Sequence, residues 1–310
     1  MKTDASKSST TDAGSVRGLI GLAADRAAID RALLTVTDRH ANLLGAVVEP
    51  IRFALSGNGK RVRGLLCIAA YRACGGTRDV AMIGAAIEIV HAYSLVHDDL
   101  PSMDDDVMRR GRPTAHVEYG VNAATVAGVT MVPLAVRTMI DGCAVAGIDM
   151  PTQLAIVRRI MSASGAGGMV GGQLLDLLGE GKSLSIEELE TIHRGKTGAI
   201  IAAAAEIGGM AAAASPDKVT ALHHFGATLG LAFQIMDDVL DLTSTTATLG
   251  KTVGRDTELR KSTYPGLIGL AEAQALARRT IDDGRASLRA EGLLTEDLER
   301  FAGFVVERAS

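Results

Sequence analysis

Apolar residues recur at intervals of three and four along almost the whole chain, from near Val16 to close to the C-terminus. LLGAVVEPIRFAL (43–55), GLLCIAAYRAC (64–74) and AMIGAAIEIVHAYSLVHDD (81–99) follow this spacing, which is the period of an α-helix with a buried face. So do TQLAIVRRIMSASG, IEELETIHRGKTGAIIAAAAEIGG, KVTALHHFGATLGLAFQIMDDVLDL and EAQALARRTIDDGRASL. The breaks fall at turn-forming residues: GNGK (57–60), GG (75–76), Pro101, RRGRP, DMP (149–151), SP (215–216) and YPG (264–266). No run alternates with period two, and no long linker or tandem repeat is visible. The pattern predicts one all-α domain over residues 16–310. Residues 1–15, MKTDASKSSTTDAGS, are polar and lack an apolar h-region. They read as a disordered tail rather than a signal peptide.

Composition sharpens this picture. The 310 residues are 47% hydrophobic but only 3% aromatic, with no Trp. Ala, Leu, Ile, Val and Met supply the apolar mass, enough for a substantial helical core. The net charge of −4 argues against a nucleic-acid surface. Cys67, Cys74 and Cys143 are an odd, widely spaced set, which fits a reduced, cytoplasmic setting. The best candidate for a membrane span, residues 198–215, is Ala- and Gly-rich and interrupted by Glu206. It reads as a buried core helix. The 35 glycines are many for a helical chain, and some are expected to mark close helix contacts or ligand approach.

Candidate chemistry sits in two acidic clusters. HDDLPSMDDDVMRRG (97–111) carries Asp98, Asp99, Asp104, Asp105 and Asp106, then Arg109 and Arg110. FQIMDDVLD (233–241) carries Asp237, Asp238 and Asp241. Asp237 and Asp241 share a helix face, and Asp238 lies on a neighbouring one. Pro101 breaks the first helix, so Asp104 is placed to fold back toward Asp98. Either cluster alone could be a solvated acidic helix end. Two such clusters inside apolar helices point to a cation. Oxygen ligands without Cys or His in register suit Mg2+, which commonly bridges to phosphate. The spacing excludes an EF-hand, and SGNGKRVRG (56–64) is not a P-loop. Lys60, Arg61 and Arg63, Arg109 and Arg110, Lys196 with Thr197, and Lys251, Arg255 and Lys261 supply cations for more than one diphosphate.

The chain resembles the trans-isoprenyl diphosphate synthases, the polyprenyl synthetase family. HDDLPSMDDDVMRRGRPTAH is similar to the family's first aspartate-rich motif in its longer bacterial form, and FQIMDDVLD to the second. GNGKRVR, GGQLLD (171–176), RGKTG (194–198) and GKTVGRDTELRKSTYP match further blocks in the same order. The resemblance runs from about residue 45 to the C-terminus. It implies a single large helical bundle around a central cavity and three Mg2+ ions. Asp98 and Asp104 are implied to hold two ions with Asp99 assisting, and Asp237 the third with Asp238 and Asp241 supporting it. Arg109, Lys196, Lys251 and Lys261 are implied to grip the allylic diphosphate. Thr197 and Gln234 flank the allylic carbon, and Gln173 and Asp176 complete the polar wall. Lys60, Arg63, His91 and Arg110 are implied to bind isopentenyl diphosphate. His91 also lies two helical turns before Asp98, on the same face. His97 and His116 read as structural.

Tyr93 and Ser94 resemble the residues that set chain length in bacterial farnesyl diphosphate synthases, where an aromatic ring blocks elongation past fifteen carbons. Three positions depart from the family pattern: Gly64 stands where proline is usual, Val129 replaces an aspartate, and Pro133 is expected to kink a helix bordering the cavity. The expected activity is head-to-tail condensation of isopentenyl and allylic diphosphates by a cytoplasmic homodimer with no membrane span. Farnesyl diphosphate is the expected product and geranylgeranyl diphosphate the alternative. A terpene cyclase is disfavoured by the second DDxxD and the GNGKRVR element. A non-catalytic partner subunit is disfavoured because both aspartate motifs are kept. An all-α structural protein with acidic helix ends is the remaining reading, and Mg2+-dependent diphosphate binding would separate it from the others.

Overall fold

The computed structural model describes residues 21–57, 59–243 and 261–306. The expected tail (1–15), Lys251 and Arg255 lie outside the described residues.

The chain folds as helices packed on helices, as the periodicity predicts. In order these are α1 Ala23–Arg39, α2 Ala41–Leu44, α3 Val48–Leu55, α4 Val62–Ala73 and α5 Ala81–Asp98. There follow α6 Ala115–Tyr119, α7 Val121–Val145, α8 Met150–Ser164, α9 Met169–Gly179, α10 Ile186–His193 and α11 Ala199–Ala211. The last are α12 Pro216–Thr243, α13 Tyr264–Ile268, α14 Leu270–Ala290 and α15 Glu296–Val306. Local chemistry sets several boundaries. Asp149 caps α8 by accepting from the Thr152 amide at 2.8 Å, with Pro151 in the first turn. Ser185 and Glu188 form a capping box on α10, worth about 1 kcal/mol.

Two features were not visible in the periodicity. The run 43–55 is not one helix: a 3-10 turn, Gly45–Val47, separates α2 from α3, and Gly45 has φ 54°. A two-stranded hairpin, β1 Met108–Arg109 and β2 Arg112–Pro113, interrupts the helices after α5. Its turn residues Arg110 and Gly111 both have positive φ, 53° and 74°, the geometry of a tight hairpin turn.

One continuous hydrophobic core runs from Leu22 to Val305. α12 packs along α14 and α11, α5 along α7, and α11 against α4 and α8. Small residues let these helices approach closely. A Cβ on Gly226 would lie 2.7 Å from Ala202 Cα, and one on Gly208 would lie 2.4 Å from the Cys67 carbonyl oxygen. Close crossings of this kind fill the interior with few aromatics. Residues 199–211, within the stretch considered for a membrane, form the buried α11. Among the described residues α7 is the helix long and apolar enough to cross a membrane, and it packs along α5 within the bundle.

Candidate active site

The first acidic cluster is built at the C-terminal end of α5. The helix stops at Asp98, and the chain turns so that the Asp104 amide donates to the Asp98 carbonyl at 2.9 Å and the Asp105 amide to Leu100 at 3.1 Å. Asp104 therefore returns to Asp98, as Pro101 suggested. Burial pushes the Asp98 carboxyl up to about 6; Lys196 opposes this and Asp104 adds to it. An under-compensated carboxylate of this kind suits a cation.

Asp99 is only 4% exposed. It receives Arg109 Nε at 2.7 and 3.0 Å on its two oxygens, and Arg109 also reaches Asp106 at 3.4 Å. Asp99, expected among the metal ligands, and Arg109, expected on the allylic diphosphate, are here paired with each other. The hairpin is the cause: its turn lays Arg109 over the helix end and sends Arg110 the other way. A Cβ on Gly59 would lie 3.2 Å from Arg110 Nη1, so Arg110 reaches the loop that carries Lys60 and leads into α4, where Arg63 lies.

At the start of α4 two arginines diverge. Arg61 has φ 53° and is buried. It donates to Asp30 at 2.8 Å and to the carbonyls of Leu55 and Gly57 at 2.6 and 3.2 Å. It is a strut that shapes the loop. Burial pulls the Arg63 guanidinium down to about 10; Glu88 opposes this, Arg110 adds to it, and Asp237 favours the charge. Arg63 thus stands electrostatically between the isopentenyl-side cations and the second acidic cluster. Lys60 Nζ sits 5.6 Å from the centroid of the Phe304 ring on α15. Burial, then Arg63 and Arg110, lower His91 well below the usual histidine range, so it is neutral at pH 7. Ser94 Oγ donates back to the His91 carbonyl at 2.9 Å. Tyr93 stands edge-on to His97, with ring centroids 5.4 Å apart.

The second cluster lies on α12. Gln234 Nε2 is 3.5 Å from Asp237 Oδ2, and Asp241 is half-buried. Asp238, expected to support an ion, turns instead to α13: it accepts from the Tyr264 amide at 3.0 Å, and His193 Nε2 lies 3.7 Å from the same oxygen. The His193 and Tyr264 rings stack at 5.7 Å.

A third group of residues lies on a turn packed between α9 and α12. The RGKTG segment, Arg194–Gly198, is a π-helical turn between α10 and α11, a feature frequent at functional sites. It presents Lys196 and the half-buried Thr197. Lys196 Nζ donates to Asp176 Oδ2 at 2.7 Å, and Lys261 Nζ to the same oxygen at 3.0 Å. Lys261 also pairs with Glu180 at 3.3 Å. Burial works to raise the Asp176 carboxyl, but the two lysines hold it below the usual range. The π turn lies against α9 without side-chain spacing: a Cβ on Gly172 would be 2.0 Å from the Lys196 amide nitrogen. Beside it, Gln173 is 7% exposed, and neither amide atom has a hydrogen-bond partner. This is an orphaned polar group facing a site built for polar ligands.

Among the described residues, no three His, Cys, Asp or Glu side chains are gathered into a ready-made metal shell. Carboxylate oxygens are the donors of hard cations, of which Mg2+ is one that takes most of its other ligands from phosphate oxygens and water.

Three residues were missed. Glu88 is 3% exposed and accepts from the Gly64 amide at 2.9 Å. A proline at 64 could not donate this bond, which accounts for the departure there. The signal was a lone carboxylate in an apolar helix, one turn before His91. His193 and Tyr264 were the others; each adjoins a matched block, at RGKTG and TYP. The remaining departures face outward. Val129 is 60% exposed, Pro133 is exposed as well, and α7 continues through Pro133. The reason is register: both positions lie on the face of α7 away from α5.

The model of the family described as polyprenyl synthetase matches residues 45–289. A farnesyl diphosphate synthase of Escherichia coli is 43% identical, over 84% of this chain and 89% of its own. A geranylgeranyl diphosphate synthase of Cyanophora paradoxa is 37% identical, over 84% and 87%. A solved geranyltransferase from Helicobacter pylori, complexed with magnesium and isoprenyl diphosphate, superposes with a TM-score of 0.77. It is 26% identical, over 93% of this chain and 96% of its own.

Proposed function

The chain belongs to the polyprenyl synthetase family, and from that membership we propose that it catalyses the Mg2+-dependent head-to-tail (1′–4) condensation of isopentenyl diphosphate with allylic diphosphates, ending at farnesyl diphosphate. The observation that carries this reading is that each acidic cluster faces cations of its own. Asp98 is coupled to Lys196 and Arg109, Lys196 and Lys261 converge on Asp176, and Arg63 is coupled to Asp237 and Arg110.

In this reading Asp98 and Asp104 hold two ions and Asp237 a third, with Asp241 beside it and Asp99 and Asp238 fixing Arg109 and Tyr264 behind them. The magnesium-bound relative supports the choice of ion. Bound Mg2+ supplies the positive charge that stabilises the departing diphosphate. Lys196, Lys261, Lys251 and Arg109 grip that diphosphate. Thr197, Gln173 and Gln234 line the carbon end of the breaking C–O bond. Lys60, Arg63, Arg110 and neutral His91 hold isopentenyl diphosphate, so that its alkene attacks the allylic carbon. The proton lost from the adduct passes to the released diphosphate, so no protein nucleophile is needed. The apolar helices exclude water from the cation.

Tyr93, with Ser94 beside it, floors the prenyl pocket. Relatives that make geranylgeranyl diphosphate lie nearly as close, so the ring of Tyr93 is what favours fifteen carbons over twenty. Residues 16–310 act as one domain, which the single continuous core supports. The free thiols of Cys67, Cys74 and Cys143 support a reducing cytoplasm. Exposed Val126, Val129 and Ile140 on α7 and Met150 and Leu154 on α8 support a homodimer joined through that face.

The test is the product spectrum from isopentenyl diphosphate with dimethylallyl, geranyl or farnesyl diphosphate, with Mg2+ and with EDTA. Farnesyl diphosphate, formed only with Mg2+, is expected, and Tyr93→Ala should lengthen it. A twenty-carbon end product from the unmodified chain refutes the product assignment. No condensation from any primer refutes the enzyme and leaves the partner-subunit reading.

A further inference from the structure

Tyr93 has a neighbour that holds it in place. His97 lies one turn further along α5, and the two rings meet edge to face at 5.4 Å and 85°. This is a favoured aromatic geometry. His97 is itself clamped from the other side. Its Nε2 is 3.1 Å from the Thr125 carbonyl oxygen on α7. A carbonyl only accepts, so Nε2 carries the hydrogen and donates it. The same ring fills the place of a side chain at Gly128: a Cβ there would lie 2.2 Å from Nε2 and 2.3 Å from Cδ2. Thr125 and Gly128 are three apart and share a face of α7, which packs along α5.

We infer that His97 is a specificity-determining residue: wedged between α5 and the Thr125–Gly128 face of α7, it braces the Tyr93 ring and fixes where the prenyl pocket ends. The inference rests on the reading of Tyr93 as the pocket floor. A ring on a helix can change its side-chain rotamer, so volume alone does not make a floor. Tyr93 is half-buried, and the side toward α7 is where it could yield. His97 occupies that side and cannot retreat, because α7 backbone lies directly behind it. Gly128 is then the residue that makes room for the brace. The pocket's depth is set by a stack of three positions on two helices rather than by Tyr93 alone.

The experiment compares product length in unmodified protein, His97→Ala, Gly128→Ala, Tyr93→Ala and the two double variants with Tyr93→Ala. Each is given geranyl and farnesyl diphosphate primers with Mg2+, and thermal melts verify folding. His97→Ala should raise the twenty- to fifteen-carbon ratio by roughly tenfold or more, the scale on which pocket shape discriminates hydrocarbons. Gly128→Ala approaches the same contact from α7, away from Asp98, and should change the ratio by a comparable factor by displacing the ring. Both effects should vanish in the Tyr93→Ala background, because residues acting through one contact are not additive. A ratio within about twofold of the unmodified protein in both single variants overturns the inference, as does an undiminished shift without Tyr93. Should His97→Ala fail to fold, Gly128→Ala decides alone. The product of the unmodified protein is a separate reading: twenty carbons there refutes the proposed product, while the brace stands or falls on the shifts and their dependence on Tyr93.

Discussion

Gly172→Ala is the sharpest test of how the site is positioned. Its added Cβ would lie 2.0 Å from the Lys196 amide nitrogen, 2.6 Å from the Gly195 carbonyl carbon and 2.7 Å from Lys196 Cα. All three atoms are backbone, so no rotamer change relieves the clash. The π turn must retreat from α9 by about 1.4 Å to reach ordinary contact. Overpacking of this kind costs roughly 1–3 kcal/mol, and Ala returns about 1 kcal/mol by favouring the helix. Stability should therefore fall by roughly 0–2 kcal/mol. Activity should fall much more, because the displaced segment carries Lys196 and Thr197. A misplacement of about 1 Å in a catalytic constellation costs on the order of a hundredfold, or ~2.7 kcal/mol of transition-state stabilisation. The assay is kcat/KM for condensation alongside a thermal melt. Gly167→Ala is the control, since a Cβ at that position meets nothing within 4 Å. A Gly172→Ala enzyme within about threefold of the unmodified kcat/KM would refute the reasoning.

Two further outcomes follow from the charges. Burial raises the Asp98 carboxyl from 3.8 to about 6, so the metal-free folded state binds more protons than the unfolded chain in that interval. Its stability should fall as pH rises from about 4 through about 6, and Asp98→Asn should remove that fall; parallel slopes of melting temperature against pH in the two proteins would contradict it. Glu88→Ala leaves the Gly64 amide buried without its acceptor and the buried Arg63 guanidinium without the carboxylate that favours its charge. It should cost roughly 1–3 kcal/mol and raise KM for isopentenyl diphosphate, whereas an unchanged melt together with an unchanged KM would show that Glu88 supports neither.

How much of the site was legible depends on the range of the interaction concerned. The return of Asp104 to Asp98 was readable because Pro101 and a loop of five residues enforce it locally. The glycine contacts were foreseeable in kind but not in place: Gly172 meets Lys196 and Gly208 meets Cys67 across the fold. Arg61 and Arg63 look equivalent in KRVR. Only the left-handed backbone at Arg61, together with Asp30 on α1, assigns one as a strut. Asp98 and Asp99 are likewise indistinguishable by type. The hairpin gives Asp99 to Arg109 and leaves Asp98 under-compensated.

From the sequence came most of the helices and the breaks between them, though not the turn at Gly45–Val47 or the hairpin, together with the residue types on which the proposed chemistry rests. Helical period, caps and turn residues act within a few positions, and two carboxylate clusters with several cations imply a metal-bridged diphosphate wherever they meet. Tertiary structure decided the partners: Asp238 with Tyr264, His97 with the Thr125–Gly128 face, and the outward register of Val129 and Pro133. These depend on which helix faces which, and at what distance. That is settled by filling one core from residues far apart in the chain, and no local pattern encodes it.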